Sequence, residues 1–219
     1  MTGRVGLLGG TFDPIHLGHL YAAEAAACRF GLAPVLIIPS YAPPHKDGRT
    51  GAPAEDRFRM VELACAGRPG LVPSRLEVEA RETSYSIITL EKVRRLYPAA
   101  RLFFIVGADA FREIETWRDY ERVLEECRWI VTDRPGSRLD DIRGILGGRL
   151  RDRMRELGPG EVATDELVES ARIFLLPVDA LDISATEIRR LVRAGKSVAG
   201  LVPAGVEDYI RRRGLYRSE

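Results

Sequence analysis

The sequence contains no asparagine and no glutamine, and its 33 basic residues comprise 30 arginines and only three lysines. Genomic base composition and selection for heat resistance both produce such a bias, and the sequence does not separate them. The absence excludes side-chain amides from any active site. Polar contacts there must come from histidine, hydroxyl, acidic, arginine, tyrosine or lysine side chains, or from the backbone.

Other features are scarce or missing. Cys28, Cys65 and Cys127 lie far apart and show no metal-binding spacing, which predicts reduced thiols and no protein-held metal. No apolar run approaches a membrane span, and Val5–Leu8 leads at once into glycines rather than forming a signal peptide, so we expect a cytoplasmic protein with no membrane partner. A net charge of +1 argues against a nucleic-acid partner.

What is present is an alternation of strand and helix patterns. Continuous apolar runs predict strands covered on both faces, at Val5–Leu8, Val35–Ile38, Leu102–Val106, Trp129–Thr132 and Ile173–Leu176. A weaker sixth strand is predicted at Leu71–Val78. Helical patterns lie between and after the strands, at Leu17–Phe30, Ala54–Ala66, Ile87–Leu96, Tyr120–Glu126, Ala185–Ala194 and Val206–Arg213. This order predicts an α/β fold with a Rossmann-like, doubly wound parallel sheet.

We expect a single domain over residues 1–219. Residues 135–170 are rich in charge and glycine, and we predict a surface excursion there with one helix at Leu139–Leu157. A C-terminal helical part is predicted at residues 184–219. Because ligands of such sheets bind beyond the carboxyl ends of the strands, the loops after the strands are where functional residues are expected.

The loop after the first strand has the character of an anion site. Gly9 and Gly10 allow close approach of the backbone, and the following helix N-terminus offers N–H groups and a positive dipole end. His16 and His19 are three residues apart, so both can face one side of the helix start. The chain holds only three histidines, and all of them, with His45, follow the first two strands. We therefore interpret this loop as a phosphate site rather than an ordinary turn.

Two further segments suit a phosphate chain. Pro43 and Pro44 stiffen the loop that carries His45 and Lys46, although such a loop can equally be a surface turn. Near the end, Ile183–Arg189 combines two hydroxyls with an arginine at a predicted helix start. The hydroxyls can cap that helix, and the same arrangement can also hold phosphates.

Together these motifs resemble a known family. His-x-Gly-His at residues 16–19, with Ile-Ser-x-Thr-x-x-Arg at residues 183–189, looks like the nucleotidylyltransferase superfamily of the HxGH type. Over nearly its whole length the chain is similar to bacterial nicotinate-nucleotide adenylyltransferases. The supporting segments are Gly9–His16, Pro43–Lys46, Thr83–Tyr85, Gly107–Asp109, Trp117, Arg134–Gly136, Leu201–Pro203 and Tyr209–Ile210.

The resemblance implies transfer of AMP from ATP to nicotinate mononucleotide in NAD biosynthesis, with Mg²⁺ bound through the ATP phosphates and a homo-oligomer left open. It implies catalytic roles for His16, His19, Lys46 and Arg189. Contacts with ATP are implied for Gly9, Gly10, Thr11, Phe12, Gly107, Asp109, Ile183, Ser184 and Thr186. Contacts with the acceptor are implied for Thr83, Ser84, Tyr85, Trp117, Arg134 and His45. Trp117 can also be a core residue and Arg134 a turn residue.

Two positions depart from the family pattern. Ala185 stands where the family has a second serine, and Ile88 stands where it often has an aspartate. Two alternative functions stay open. One is an adenylyltransferase acting on phosphopantetheine, although such chains are usually shorter and lack the Pro-Pro-His-Lys segment and Trp117. The other is a nucleotide-binding regulator without turnover, which the intact histidine pair disfavours.

Overall fold

The computed structural model describes residues 3–44, 51–132, 142, 144, 151–178 and 183–217. Within these residues the strands are β1 (Arg4–Gly10), β2 (Val35–Pro39), β3 (Leu71–Pro73), β4 (Arg101–Gly107), β5 (Arg128–Thr132), β6 (Met154–Glu156) and β7 (Ile173–Leu176). They form one sheet in the order β3-β2-β1-β4-β5-β7-β6, and every pair of neighbours is parallel. The predicted parallel sheet is confirmed.

Helices cover both faces of the sheet. They are α1 (Leu17–Phe30), α2 (Ala54–Cys65), α3 (Leu76–Ala80), α4 (Ser86–Leu96), α5 (Ala108–Phe111), α6 (Tyr120–Glu126), α7 (Asp165–Ser170), α8 (Ala185–Arg193) and α9 (Ala204–Arg213). The buried side chains form two clusters, one under α1, α2, α8 and α9 and one under α4, α5 and α6. Alternate residues of the central strands enter opposite clusters, which explains their continuous hydrophobicity.

Two predicted elements were wrong. The strand predicted at Leu71–Val78 corresponds to β3, which already ends at Pro73. The alternating Leu76–Ala80 segment forms the short helix α3 instead, and the side chains of Arg75 and Glu79 pair there at 3.2 Å. The helix predicted at residues 139–157 is contradicted at its end, where β6 pairs with β7. The charged residues of β6 suit a strand at the edge of the sheet, and they leave no apolar run from which a strand could be predicted. Most of that predicted helix lies outside the described residues.

The connections define the ligand side of the sheet. From β1 the chain moves outward through β2 to β3, and it then returns to β4 on the other side of β1 before continuing to β5. The strand order therefore reverses between β1 and β4. In open α/β sheets a crevice forms at the carboxyl ends of the strands at such a reversal. This places the loops after β1, β2 and β4 around one candidate site.

The opposite end of the sheet holds α7. Asp165 accepts hydrogen bonds from Arg4 at 2.6 Å and from Arg101 at 3.0 Å, and Glu169 pairs with Arg101 and with Arg128. The three arginines begin β1, β4 and β5, so α7 is anchored at the amino ends of these strands. Within the described part of the chain, no helix has the length and apolar character needed to cross a membrane.

Candidate active site

The loop that leaves β1 has a sharply folded backbone. Phe12 has a φ of 47°, in the left-handed region, and its side chain is only 2% exposed. Its ring lies so close to Gly10 that a Cβ at position 10 would be 3.0 Å from it. A side chain at position 10 would therefore crowd the Phe12 ring. The fold of the loop leaves the Gly9–Thr11 backbone on the wall of a cavity.

The two histidines of the loop lie against each other. Their rings are stacked with centroids 3.5 Å apart, and the backbone N–H of His16 donates a hydrogen bond to Nδ1 of His19 at 3.3 Å. Because Nδ1 of His19 accepts this bond, the proton of its neutral ring is on Nε2. The predicted juxtaposition of the pair at the start of α1 is present in the structure.

The N-terminus of α1 offers fewer donors than expected from the sequence. The backbone N–H of Leu17, the first residue of the helix, donates to the carbonyl of Leu201 at 2.9 Å. That group is therefore satisfied within the protein and is not available to a phosphate. The contact also ties the start of α1 to the segment before α9, which explains why Leu201–Pro203 belongs to the motif set.

The C-terminal motif meets the first loop. Arg189 of α8 donates from Nη1 to the carbonyl of Asp13 at 2.7 Å and from Nη2 to the hydroxyl of Thr186 at 3.2 Å. Ser184 is the N-cap residue of α8, and its side chain makes no capping bond there within the described residues. Ile183 is buried in the core beneath it. The structure thus brings the two outer motifs together, with the exposed hydroxyls of Ser184 and Thr186 beside Arg189.

The carboxylate of Asp13 is buried and held by hydrogen bonds from the protein. It is 4% exposed and accepts hydrogen bonds from the N–H groups of Gly51 and Ala52, at 2.6 and 3.0 Å, and from the hydroxyl of Tyr216 at 2.8 Å. It is therefore not a free metal ligand. The described residues contain no group of three or more His, Cys, Asp or Glu side chains that could hold a metal ion.

A cavity of about 440 Å³ extends from the β1 loop toward α4. It is lined by residues from both predicted substrate regions. From the ATP region come Gly9, Gly10 and Thr11, and from the acceptor region come Ser84, Tyr85 and Trp117. Trp117 is half-buried. Its ring meets the rings of Phe104 and Trp129 at a steep angle, with ring centroids 6.0 Å apart in each pair. Trp117 therefore presents ring surface to the cavity, whereas Trp129 is fully buried, as predicted.

The turn at residues 83–85 is fixed by its own hydrogen bonds. The N–H of Ser84 donates to the carbonyl of Ala42 at 3.0 Å, and the N–H of Tyr85 donates to that of Thr83 at 3.1 Å. These two groups are therefore not available to an acceptor. The hydroxyl of Ser84 accepts a bond from the N–H of Tyr41 at 2.9 Å, which joins the turn to the end of β2.

Sequence reasoning missed two charged residues on the cavity wall. Glu77 of α3 accepts a hydrogen bond from the Thr89 hydroxyl at 2.5 Å, and burial raises the pKa of its carboxyl. The guanidinium of Arg118 lies 4.9 Å from the centre of the Tyr85 ring. Among the described residues that line the cavity, Arg118 alone carries a positive charge. The position of Arg118 next to Trp117 in the sequence could have indicated its place on the cavity wall. Glu77 could not be found in this way, because the alternating pattern around it predicted a strand rather than the helix α3.

Gly107, Asp109 and Thr83 are described by the structure and do not line this cavity. Gly107 and Asp109 end β4 and begin α5, and their neighbours Val106 and Ala110 line the cavity instead. A Cβ at position 107 would lie 2.5 Å from Oδ1 of Asp109, so a side chain there would displace this exposed carboxylate. Thr83 lines a small adjoining pocket. His45, Lys46 and Arg134 lie outside the described residues.

A parallel sheet with a glycine-rich loop and paired histidines after its first strand defines a class of nucleotide-transferring protein. A model of the cytidylyltransferase-like family matches residues 7–191. The chain belongs to this family, and relatives that are 43% and 44% identical over 97% and 98% of this chain show that it belongs to the nicotinate-nucleotide adenylyltransferases.

The chain is 43% identical over 222 residues to a protein of Desulfatibacillum aliphaticivorans named "Probable nicotinate-nucleotide adenylyltransferase", covering 97% of this chain and 99% of that one. It is 44% identical to a protein of the same name from Moorella thermoacetica, covering 98% and 92% of the two chains. Among solved structures, the nicotinic acid mononucleotide adenylyltransferase of Plasmodium falciparum complexed with NaAD matches with a TM-score of 0.73 at 15% identity. That match covers 98% of this chain and 97% of the other, and it supports the fold.

Proposed function

We propose that the chain transfers AMP from ATP to nicotinate mononucleotide, giving nicotinate adenine dinucleotide and pyrophosphate in NAD biosynthesis. The observation that carries the proposal is a cavity that is lined by the Gly9–Thr11 loop at one end and by Tyr85 and Trp117 at the other. The loop suits the phosphates of ATP, and the aromatic rings suit the pyridine ring of the acceptor. The names of the bacterial relatives agree with this assignment.

The reaction needs no nucleophile from the protein. An oxygen of the acceptor's 5′-phosphate forms a bond to the α-phosphorus of ATP, and the bond from that phosphorus to the β-phosphate bridging oxygen breaks. A phosphate monoester is already an anion at neutral pH, so a strong general base is not required. The protein's contribution is to align the reactants and to stabilise negative charge that develops on the phosphates.

His19 is suited to that second task, because its Nδ1 accepts the bond from the backbone of His16 and its Nε2–H is the ring group that can donate to an α-phosphate oxygen. His16 supports its ring by stacking. We assign Thr186, Ser184 and Arg189 to the triphosphate, since they share one side of the β1 loop. Lys46, His45, Arg134, Gly107 and Asp109 keep the roles implied by the family resemblance, as predictions.

Mg²⁺ enters this scheme as part of the substrate, bound to the phosphates of ATP. The Asp13 carboxylate is buried and accepts three hydrogen bonds from the protein, which supports that assignment. The cytoplasmic location and a homo-oligomeric state remain predictions of the same proposal.

Pyrophosphate release with MgATP tests the proposal against a panel of acceptors. The panel is nicotinate mononucleotide, nicotinamide mononucleotide, 4′-phosphopantetheine and a sample without acceptor. We expect release with nicotinate mononucleotide to exceed the others, with a dinucleotide product seen by chromatography. Turnover with 4′-phosphopantetheine instead would replace the acceptor assignment. ATP binding without turnover on any acceptor would favour the regulator, and the doubly substituted His16→Ala/His19→Ala protein serves as the inactive reference.

A further inference from the structure

The conformation of Phe12 is unusual for a residue with a side chain. A φ of 47° brings Cβ close to the backbone, which is why this region favours glycine. Phe12 is also buried, so its ring position depends on the backbone that carries it. A buried non-glycine residue in this conformation persists when the surrounding structure holds it there. The structure shows which groups do so.

Arg57 holds the residue before Phe12. This α2 side chain is 0% exposed, and Nη1 donates to the carbonyl of Thr11 at 2.6 Å. Nη2 donates to the carbonyl of Tyr41 at 3.0 Å and Nε to that of Ala52 at 3.1 Å. One planar guanidinium thus fixes the loop after β1, the end of β2 and the start of α2 in a single geometry.

Tyr216 holds the residue after Phe12. Its hydroxyl donates to Oδ1 of Asp13, whose other bonds come from the backbone of Gly51 and Ala52. Burial of Arg57 lowers the pKa of its guanidinium, and the negative charge of Asp13 opposes that effect. The two sides of Phe12 are therefore fixed by a buried arginine and a buried carboxylate of opposite charge.

The ring of Phe12 connects this network to the candidate catalytic group. It meets the ring of His19 edge to face with centroids 5.0 Å apart. A change in the Phe12 backbone therefore moves the surface against which His19 rests. It also moves the adjoining carbonyl and N–H groups of the Gly9–Thr11 loop.

We propose that Arg57 and Tyr216 are positioning residues for adenylyl transfer, acting through Thr11 and Asp13 to hold Phe12 and so to set His19 against ATP. The expected effect on kcat rests on the proposed function, because it presupposes adenylyl transfer. Neither residue belongs to the cavity wall, and neither is expected to touch a substrate. Their effect should therefore appear in kcat when both substrates are saturating.

The variants Arg57→Lys and Tyr216→Phe test this. Arg57→Lys keeps the charge but loses the fork that reaches three carbonyls, and Tyr216→Phe removes one hydroxyl. The matched controls are Arg59→Lys, exposed on the same helix, and Tyr209→Phe, whose hydroxyl donates to Asp56 instead. Activity is measured at a temperature well below the melting temperature of each variant. We expect kcat to fall about tenfold to a hundredfold for Arg57→Lys and severalfold for Tyr216→Phe, and we expect the kcat of the controls to stay unchanged.

A second measurement does not depend on turnover. The chain has three histidines, so the ring signals of His19 can be assigned by NMR with single His variants. We expect Arg57→Lys and Tyr216→Phe to shift the His19 ring signals and the controls to leave them in place. Folded variants with wild-type kcat and unshifted His19 signals would overturn the inference. If the wild-type protein shows no adenylyl transfer, the proposed function fails, and the NMR comparison still decides whether these residues set His19. Should Arg57→Lys fail to fold, the single-hydroxyl variant decides both readouts.

Discussion

Arg189 donates a hydrogen bond from Nη1 to the backbone carbonyl of Asp13 at 2.7 Å, across a separation of 176 residues. The bond joins the last motif of the chain to its first. It places a cation beside the β1 loop while leaving Nη2 directed at the hydroxyl of Thr186. Arg189 therefore has two tasks in the proposed enzyme, since it shapes the loop and adds positive charge at the triphosphate.

His19→Ala should lower kcat far more than it changes the KM of either substrate. The loss of a donor aimed at developing charge removes on the order of 3 kcal/mol of transition-state stabilisation, about a hundredfold in rate. His16→Ala should also be severe, since it removes the ring that stacks on His19 and retains only the backbone N–H that bonds Nδ1. Steady-state kinetics measure both, with Tyr21→Phe, exposed on the same helix, as the control. Near wild-type turnover of His19→Ala would remove this residue from the mechanism.

Arg189→Ala should raise the KM for ATP or lower kcat, with the KM of the acceptor nearly unchanged. The reason is its position beside Ser184 and Thr186 at the start of α8, away from the Tyr85 and Trp117 end of the cavity. Arg190→Ala is the matched control, because that exposed neighbour pairs only with Glu187 among the described residues. A selective rise in the acceptor KM would instead move this cluster to the acceptor side.

Nicotinate mononucleotide should be preferred over nicotinamide mononucleotide by tenfold or more in kcat/KM. The backbone N–H groups of Ser84 and Tyr85 in the acceptor-side turn cannot be the cause, because both are already bonded within the protein. Arg118 offers a cation for the carboxylate instead, and a neutral amide leaves such a group poorly matched, a difference of about 1–3 kcal/mol.

Arg118→Ala should therefore reduce this preference, mainly by lowering kcat/KM for nicotinate mononucleotide. The measurement is kcat/KM for both acceptors at saturating ATP. Arg122→Ala is the control, since it removes an equal charge that pairs with Glu91 on the surface. A preference for the amide by the wild-type protein would overturn the acceptor assignment and leave adenylyl transfer intact. An unchanged ratio in Arg118→Ala would exclude this side chain as its source.

Replacement of residues 138–168 by a short linker should leave the chemical step measurable. The described part of this segment contributes β6 at the sheet edge and most of α7 at the amino ends of the strands, opposite the cavity. Stability should fall, because the replacement removes both. A folded deletion variant without turnover would show that the segment reaches the site.

A milder variant separates these two effects. Glu169→Gln should lower the melting temperature by roughly 1 to 4 °C, through two exposed ion pairs with Arg101 and Arg128, without a change in kcat. Glu166→Gln, on the same helix and without an ion pair among the described residues, should change neither. Thermal unfolding and kcat measured on the same samples provide the comparison.

The sequence alone determined the strands at the centre of the sheet and the loop that follows β1. These are local features: a buried strand needs a continuous apolar run, and a phosphate loop needs glycines before a helix. The composition added information, since three histidines gathered after two strands are difficult to explain by chance. The same reasoning failed at β6, where charged side chains leave no apolar run, and at α3, where charged and apolar residues alternate as they do in a strand.

Tertiary structure alone decided which polar groups are free to act. Arg57 has the pattern of an ordinary helix residue, and only the folded chain shows that it binds the carbonyls of Thr11, Tyr41 and Ala52. Likewise, the sequence could not show that the N–H groups of Leu17 and Ser84 are already satisfied. The physical reason is that apolar burial leaves a periodic pattern along the chain, whereas a hydrogen bond between distant loops depends on where the core places them and leaves none.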